Sequence, residues 1–198
     1  MMKRVCVLGL VCVTLLAAGC AVRPPTEAGP PAARPESSAQ SLYLVRHGNA
    51  KPAAADPERP LTAKGTADVK KIASFLRALG LRVDVVWHSG LTRARETAEL
   101  LAPAFAGPPP VAEHAGLKPR DPAGPILQDL AAAKKSVVIV GHRPWLAAAA
   151  AELLAGGQRS SPIDVAEGAV ACLERGADGL WRLRWVITPG LLRRGQGR

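Results

Sequence analysis

Three stretches of the sequence place reactive side chains directly after apolar runs. Leu42-Tyr43-Leu44-Val45 stops at Arg46-His47-Gly48-Asn49. Val83–Trp87 stops at His88-Ser89-Gly90, followed by Leu91-Thr92-Arg93. Ser136–Val140 stops at Gly141-His142-Arg143. Guanidinium and imidazole groups at the ends of buried strands are costly unless something uses them. Brought together, Arg46, Arg93, His47 and His142 would suit a phosphoryl group. Arginine forks match phosphate oxygens. One histidine can attack phosphorus and carry the phosphoryl group covalently. A second, if protonated, adds a donor aimed at the same oxygens. There is no Walker-type glycine loop, no H-E-x-x-H helix and no Cys/His cluster with metal spacing. The expectation is a phosphate held by side chains, with no metal and no cofactor.

For these groups to meet, the three strands must be parallel and end at one edge of a sheet. The rest of the pattern supports that. Thr62 can cap a helix running to about Leu79, with Val69, Ile72, Phe75, Leu76 and Leu79 in one stripe and Gly80 ending it. Residues 92–104 read as a second helix, with Ala94, Ala98 and Leu101 on one side. Ile126–Ala133 reads as a short helix, and Pro144 opens another through Leu154. Ala169–Leu173 and Trp181–Ile187 read as a closing hairpin, and the tail from Thr188 as loose chain. Alternating elements with continuously apolar strands predict a three-layer α/β/α sandwich around a mostly parallel sheet, with no large cap domain. In such sheets ligands bind at the carboxyl ends of the strands.

The chain has 198 residues and a formal charge of +10, with 48% hydrophobic and 4% aromatic residues. The basic residues are scattered and no stacking platform is present, so a nucleic-acid partner is not expected. A phosphorylated substrate or an anionic membrane surface fits the charge better. Lys3 and Arg4 precede an apolar stretch, Val5 to Ala18, too short for an ordinary membrane span, which marks a signal peptide over residues 1–19. Its end, "LLAAGC", resembles a lipobox, the bacterial lipoprotein processing site, and implies lipidation of Cys20. An uncleaved anchor or ordinary secretion are the other readings. Processing would remove Lys3, Arg4, Cys6 and Cys12, lower the charge to +8 and leave Cys172 without an intramolecular disulfide partner; "GAVACLER" suggests a buried strand thiol. Residues 20–40, rich in Pro, Ala, Gly and Ser, read as a disordered tether. The folded domain is expected over 41–190, with a basic tail over 191–198.

"RHGNA", "RPLTAKG" (59–65), "HSGLTRARETAELL" (88–101) and "VIVGHRPWL" (138–146), in that order and spacing, resemble the histidine phosphatase, or phosphoglycerate-mutase-like, superfamily, most of all its small SixA-type phosphohistidine phosphatase branch. The resemblance covers about residues 41–187. It implies that His47 is the nucleophile, that Arg46, Arg93 and His142 complete the phosphate pocket, and that Arg59 reaches the substrate from the rim, a role evenly balanced against a structural salt bridge. Each residue also has a plainer reading: Arg46 and His47 as a strand-end pair, Arg93 as a helix-surface charge like Arg95, His142 as a structural histidine. His88 is read as a bystander, and His114 lies in an uninformative loop. Many members of the superfamily add a carboxylate as general acid. Here the loop after the second helix offers Glu113, taken as the candidate acid, and Asp121. Asn49 follows the RHG block and is taken as a substrate contact of open role.

The targeting signal constrains the substrate. A lipoprotein with Ala21 after the cysteine should face the periplasm, at the outer membrane of the bacterial envelope. Phosphohistidine signalling domains are typically cytoplasmic. Three functions therefore stand: a metal-independent SixA-like phosphatase, an envelope phosphosugar or lipopolysaccharide-core phosphatase, and a catalytically silent lipoprotein that binds phosphorylated ligands.

Overall fold

Leu42, Tyr43, Leu44 and Val45 are apolar on both sides of the pleat, so the strand they form needs cover on both faces. A computed structural model, which describes residues 40–157 and 160–194, shows that cover. Strand β1 (Ser41–Arg46) leads into helix α1 (Ala63–Ala78), then β2 (Val85–His88) and α2 (Thr92–Leu101), which tightens into a 3-10 turn over Ala102–Ala104. There follow β3 (Val111–Glu113), α3 (Gly124–Ala133), β4 (Val137–Gly141), α4 (Trp145–Ala155), the hairpin β5 (Val170–Arg175) and β6 (Trp181–Ile187), and α5 (Pro189–Arg194).

The six strands form one sheet in the order β3-β2-β4-β1-β5-β6. β1, β4, β2 and β3 pair parallel, while β5 pairs antiparallel with both β1 and β6. Tyr43, Val45, Val138, Val140, Val170 and Cys172 face one way and pack with α1 and α2. Leu42, Leu44, Val137, Ile139, Ala171 and Leu173 face the other and pack with α3 and α4. This is the expected three-layer sandwich, with helices on both faces and no large cap domain. The Thr62 hydroxyl accepts from the Gly65 amide and so caps α1, as expected.

The structure departs from the sequence reading in several places. β3 has only three residues, too few to show a period. Helix α2 ends at Leu101, since Pro103 cannot donate the amide that would extend it. Gln40, expected in the tether, is buried, and its Nε2 donates to the carbonyls of Leu130 and Lys135 at 2.7 and 2.9 Å. Leu79 is 44% exposed, whereas Asp68 on the same helix is buried. The burial of Asp68 follows from the segment read as a loose tail. Residues 189–194 form α5, which lies against α1, and Arg193 pairs with Asp68, whose other oxygen takes Lys64 Nζ at 2.8 Å. Residues 1–39, with the signal peptide and Cys20, and residues 195–198 lie outside the described residues. Among the described residues, no helix is long and apolar enough to cross a membrane.

Burial alone would raise the Asp68 carboxyl, but hydrogen bonds from Lys64 and Arg193 and their charges outweigh it and hold it below the usual carboxylate value. A depressed carboxyl stabilises the fold above its unfolded pKa, and that contribution is lost as pH falls through the folded value. Asp68→Asn should cost about 1–2 kcal/mol at pH 7, a Tm loss of roughly 2–8 °C. The gap to wild type should close in thermal melts as acid protonates Asp68. An equal gap at pH 7 and at acid pH would contradict the pairing.

Candidate active site

The parallel register of β1, β4 and β2 decides what meets. Arg46 pairs with Gly141 and His88 with Val140, so the three chain segments leave the sheet side by side. The His47 amide donates to the Gly141 carbonyl at 3.1 Å, which fixes the first turn beyond β1 to the end of β4. His47 and His142, one residue beyond their strands, then stand with ring centroids 5.0 Å apart. Both are buried.

His47 Nδ1 lies 2.8 Å from its neighbour's carbonyl, Gly48 O. A carbonyl oxygen only accepts, so Nδ1 carries the proton and the lone pair sits on Nε2. Burial lowers the His47 pKa to about 4, and the guanidiniums of Arg93 and Arg46 push the same way, against the Gly48 hydrogen bond. The ring is neutral near pH 7. His142 Nε2 is hydrogen-bonded to Ser89 Oγ at 2.6 Å. Its pKa is lowered to about 3, first by burial, then by His47, Arg93, Arg46 and Arg59.

Arg46 leaves β1 with its Nη2 3.2 Å from Glu167 Oε1, while its Nε has no hydrogen-bond partner. Arg93, on the first turn of α2, is buried, and its Nε is unpaired as well. Burial and the nearby Arg59 both lower the Arg93 pKa. Among the described residues, five buried side-chain polar atoms lack a partner, and three of them are Arg46 Nε, Arg93 Nε and His142 Nδ1. Buried polar groups are nearly always paired, so three unpaired ones on residues brought to one edge of the sheet mark a place built for a polar ligand.

Supporting contacts hold this arrangement. The Thr97 hydroxyl accepts from the Gly48 amide at 3.0 Å and donates to the Arg93 carbonyl at 2.7 Å, so one side chain ties the turn carrying His47 to the helix carrying Arg93. α1 comes so close beneath this turn that a Cβ on Gly48 would lie 2.8 Å from Val69 Cγ2, and one on Gly65 would collide with the Asn49 carbonyl. Arg59 has a left-handed backbone (φ 50°) and is held by its Nε on the Lys51 carbonyl at 3.0 Å. The loop carrying Arg59 is anchored to α2 where the Leu61 amide donates to Glu96 Oε2 at 2.7 Å. Arg59 thus stands at the rim, near enough to act on both Arg93 and His142.

The remaining candidates make the following contacts. Asn49 sits between two partners: its Oδ1 accepts from the Thr62 hydroxyl at 2.7 Å and its Nδ2 donates to Glu167 Oε2 at 2.9 Å. Glu113 ends β3, paired with His88 of β2 and so beside the segment that carries Ser89. Its carboxylate lies against Gly90 and acts on His88. Asp121 closes a local turn by accepting from the Lys118 amide at 2.8 Å. His88 accepts the Gly90 amide at Nδ1, and His114 packs against Trp87 at a tilt of 45° with centroids 4.4 Å apart. Sequence reasoning missed three contributors: Ser89, Thr97 and Glu167. Ser89 and Thr97 both lie within the HSGLTRARETAELL block, which was a usable signal. Glu167, in a loop before β5, carried none. Among the described residues, no group of three or more His, Cys, Asp or Glu side chains is arranged to hold a metal ion.

The comparisons agree with this geometry. The profile of the histidine phosphatase superfamily (branch 1) matches residues 42–123. An uncharacterised protein of Picosynechococcus sp. is 40% identical over 143 residues, 69% of this chain and 86% of that protein. The phosphohistidine phosphatase SixA of Escherichia coli is 26% identical over 153 residues, 75% of this chain and 93% of its own. Among solved structures, the protein histidine phosphatase SixA complexed with tungstate superposes with a TM-score of 0.68 at 26% identity, covering 77% of this chain and 99% of that one. The strand-end arginines and histidines, the capless α/β sandwich and these likenesses converge: the chain belongs to the histidine phosphatase superfamily, on its SixA-like branch, and is a phosphatase.

Proposed function

We propose that this phosphatase works without a metal ion, through a covalent phosphohistidine on His47, on phosphoryl groups attached to good leaving groups, with protein phosphohistidine as the first candidate. The observation that carries the reading is the set of buried, unpaired polar atoms on Arg46, Arg93 and His142, three residues close enough to His47 to touch it or act on its charge. With Nδ1 tied to the Gly48 carbonyl, His47 presents Nε2 as the nucleophile. Nε2 bonds to phosphorus as the bond to the leaving group breaks, and the guanidiniums take the equatorial charge. Water then attacks the phosphohistidine, releasing phosphate and restoring His47. Burial first, and then the neighbouring charges, hold His142 neutral; a dianion among these groups offsets the charges, which favours protonation and gives one more donor to the transferring oxygens. Imidazole departs readily from phosphohistidine, so a strong general acid is not required; alkyl phosphate esters should be poorer substrates. The tungstate complex of the SixA relative is a likeness in kind, an oxyanion bound by this fold.

The second part of the reading concerns place. We infer from the L-L-A-A-G-C stretch that Cys20 is lipidated and anchors the enzyme at the periplasmic side of the envelope. That location favours envelope phosphate groups, such as the sugar phosphates of lipopolysaccharide, as a second substrate class.

His47→Ala should reduce turnover of p-nitrophenyl phosphate and of phosphohistidine by about 10³-fold or more and abolish a trapped, acid-labile phosphoenzyme. EDTA should leave the wild-type rate unchanged. Activity surviving in His47→Ala would sink the covalent mechanism, and no turnover of any phosphorylated compound by wild type would favour a binding protein. Because His47 must be unprotonated to attack and its pKa is lowered to about 4, kcat/KM should hold from pH 7 down to about 5.5 once the substrate's own ionisation is allowed for. An acid limb near an ordinary histidine pKa would contradict the buried, neutral imidazole. Radiolabelled fatty acid should attach to the wild-type chain and not to Cys20→Ser; label retained in that variant would reject the anchor.

A further inference from the structure

Glu167 is out of character in a pocket made for an anion. Its Oε1 lies 3.2 Å from Arg46 Nη2 and its Oε2 2.9 Å from Asn49 Nδ2, so it occupies donors on two residues that the sequence assigns to phosphate or substrate. The other fixed charges that act on His47 and His142, Arg46, Arg59 and Arg93, are all positive. Glu167 is no stray surface group. The next residue, Gly168, donates its amide to the carbonyls of both Arg46 and His47 at 3.1 Å, which fixes this loop to the backbone of the nucleophile. Its carboxylate is also close enough to act electrostatically on His47, yet it is 39% exposed and so faces whatever enters.

A fixed carboxylate on the phosphate-binding arginine weakens binding of any plain anion. On Arg46, Nε is buried and unpaired while Nη2 is engaged by Glu167, so a phosphate drawn to this guanidinium must compete with the carboxylate. That arrangement gains something only with a substrate that brings a positive charge beside its phosphoryl group. We propose that Glu167 is a specificity-determining residue that selects phosphoryl groups carried on a basic, cationic nitrogen, such as a phosphorylated imidazole, over plain phosphate-ester dianions and free phosphate. The carboxylate repels the second class and pairs with the cationic leaving group of the first.

This rests on the reading that His47 attacks a phosphoryl group, and the test separates the two. Wild type and Glu167→Gln are compared on phosphohistidine and on p-nitrophenyl phosphate, with inorganic phosphate as inhibitor. Glutamine is nearly isosteric and its amide can still bond to Arg46 or Asn49, so a purely structural role would leave both substrates and the inhibitor where they were, or weaken them together. The proposal expects kcat/KM for the ester and affinity for inorganic phosphate each to rise about three- to tenfold, the order of one partly exposed charge. kcat/KM for phosphohistidine should fall, so the preference for it collapses. Parallel changes in both substrates, or weaker phosphate inhibition, would overturn it. Failure of the covalent reading shows instead as activity retained by His47→Ala, whatever Glu167→Gln does.

Discussion

The site depends on one constraint, the parallel register of β1 against β4. Arg46 opposite Gly141 puts His47 and His142 one residue beyond the same row of the sheet, and the His47 amide on the Gly141 carbonyl locks that match. A slip of one residue would turn each side chain to the opposite face and separate the two imidazoles. The register is enforced by burial: Leu42 and Leu44 must face α3 and α4 while Tyr43 and Val45 face α1 and α2. Phosphate chemistry at the sheet edge is therefore held in place by apolar packing well below it.

The pocket is destabilised in a way the surrounding fold offsets. Each unpaired buried polar group costs about 1–3 kcal/mol relative to a satisfied one, and Arg46, Arg93 and His142 each hold such an atom. Two neutral histidines are kept among guanidiniums by desolvation and mutual repulsion. A charged ligand relieves these terms together, which is what a site preorganised for a transferring phosphoryl group should do. The rigidity comes from short links: Thr97 between the Gly48 amide and the Arg93 carbonyl, Ser89 on His142, and Gly48 and Gly65 letting α1 approach the turn.

The legible and illegible parts of the sequence divide along physical lines. Strands β1, β2 and β4 were readable because burial on both faces demands unbroken apolar runs, and α1 because its stripe, Thr62 cap and Gly80 stop agree. Strand β3 was not, because three half-exposed residues have no period, and α5 was not, because a six-residue helix is specified by what it packs on. The burial of Asp68 has the same origin: the arrival of Arg193 makes a buried aspartate tolerable.

By itself the sequence determined the layered α/β class, the strand ends that carry Arg46, His47, Arg93 and His142, and the phosphate chemistry those residue types share. These are local properties, since periodicity and residue type are written in adjacent positions. Only the tertiary structure decided that Glu113 lies against Gly90, that Asn49 is held between Thr62 and Glu167, and that the carboxylate beside the nucleophile is Glu167, 120 positions along the chain from His47. Such pairings follow from strand order and loop path. A loop that crosses from α4 to β5 leaves no trace in its own composition of the arginine it will meet.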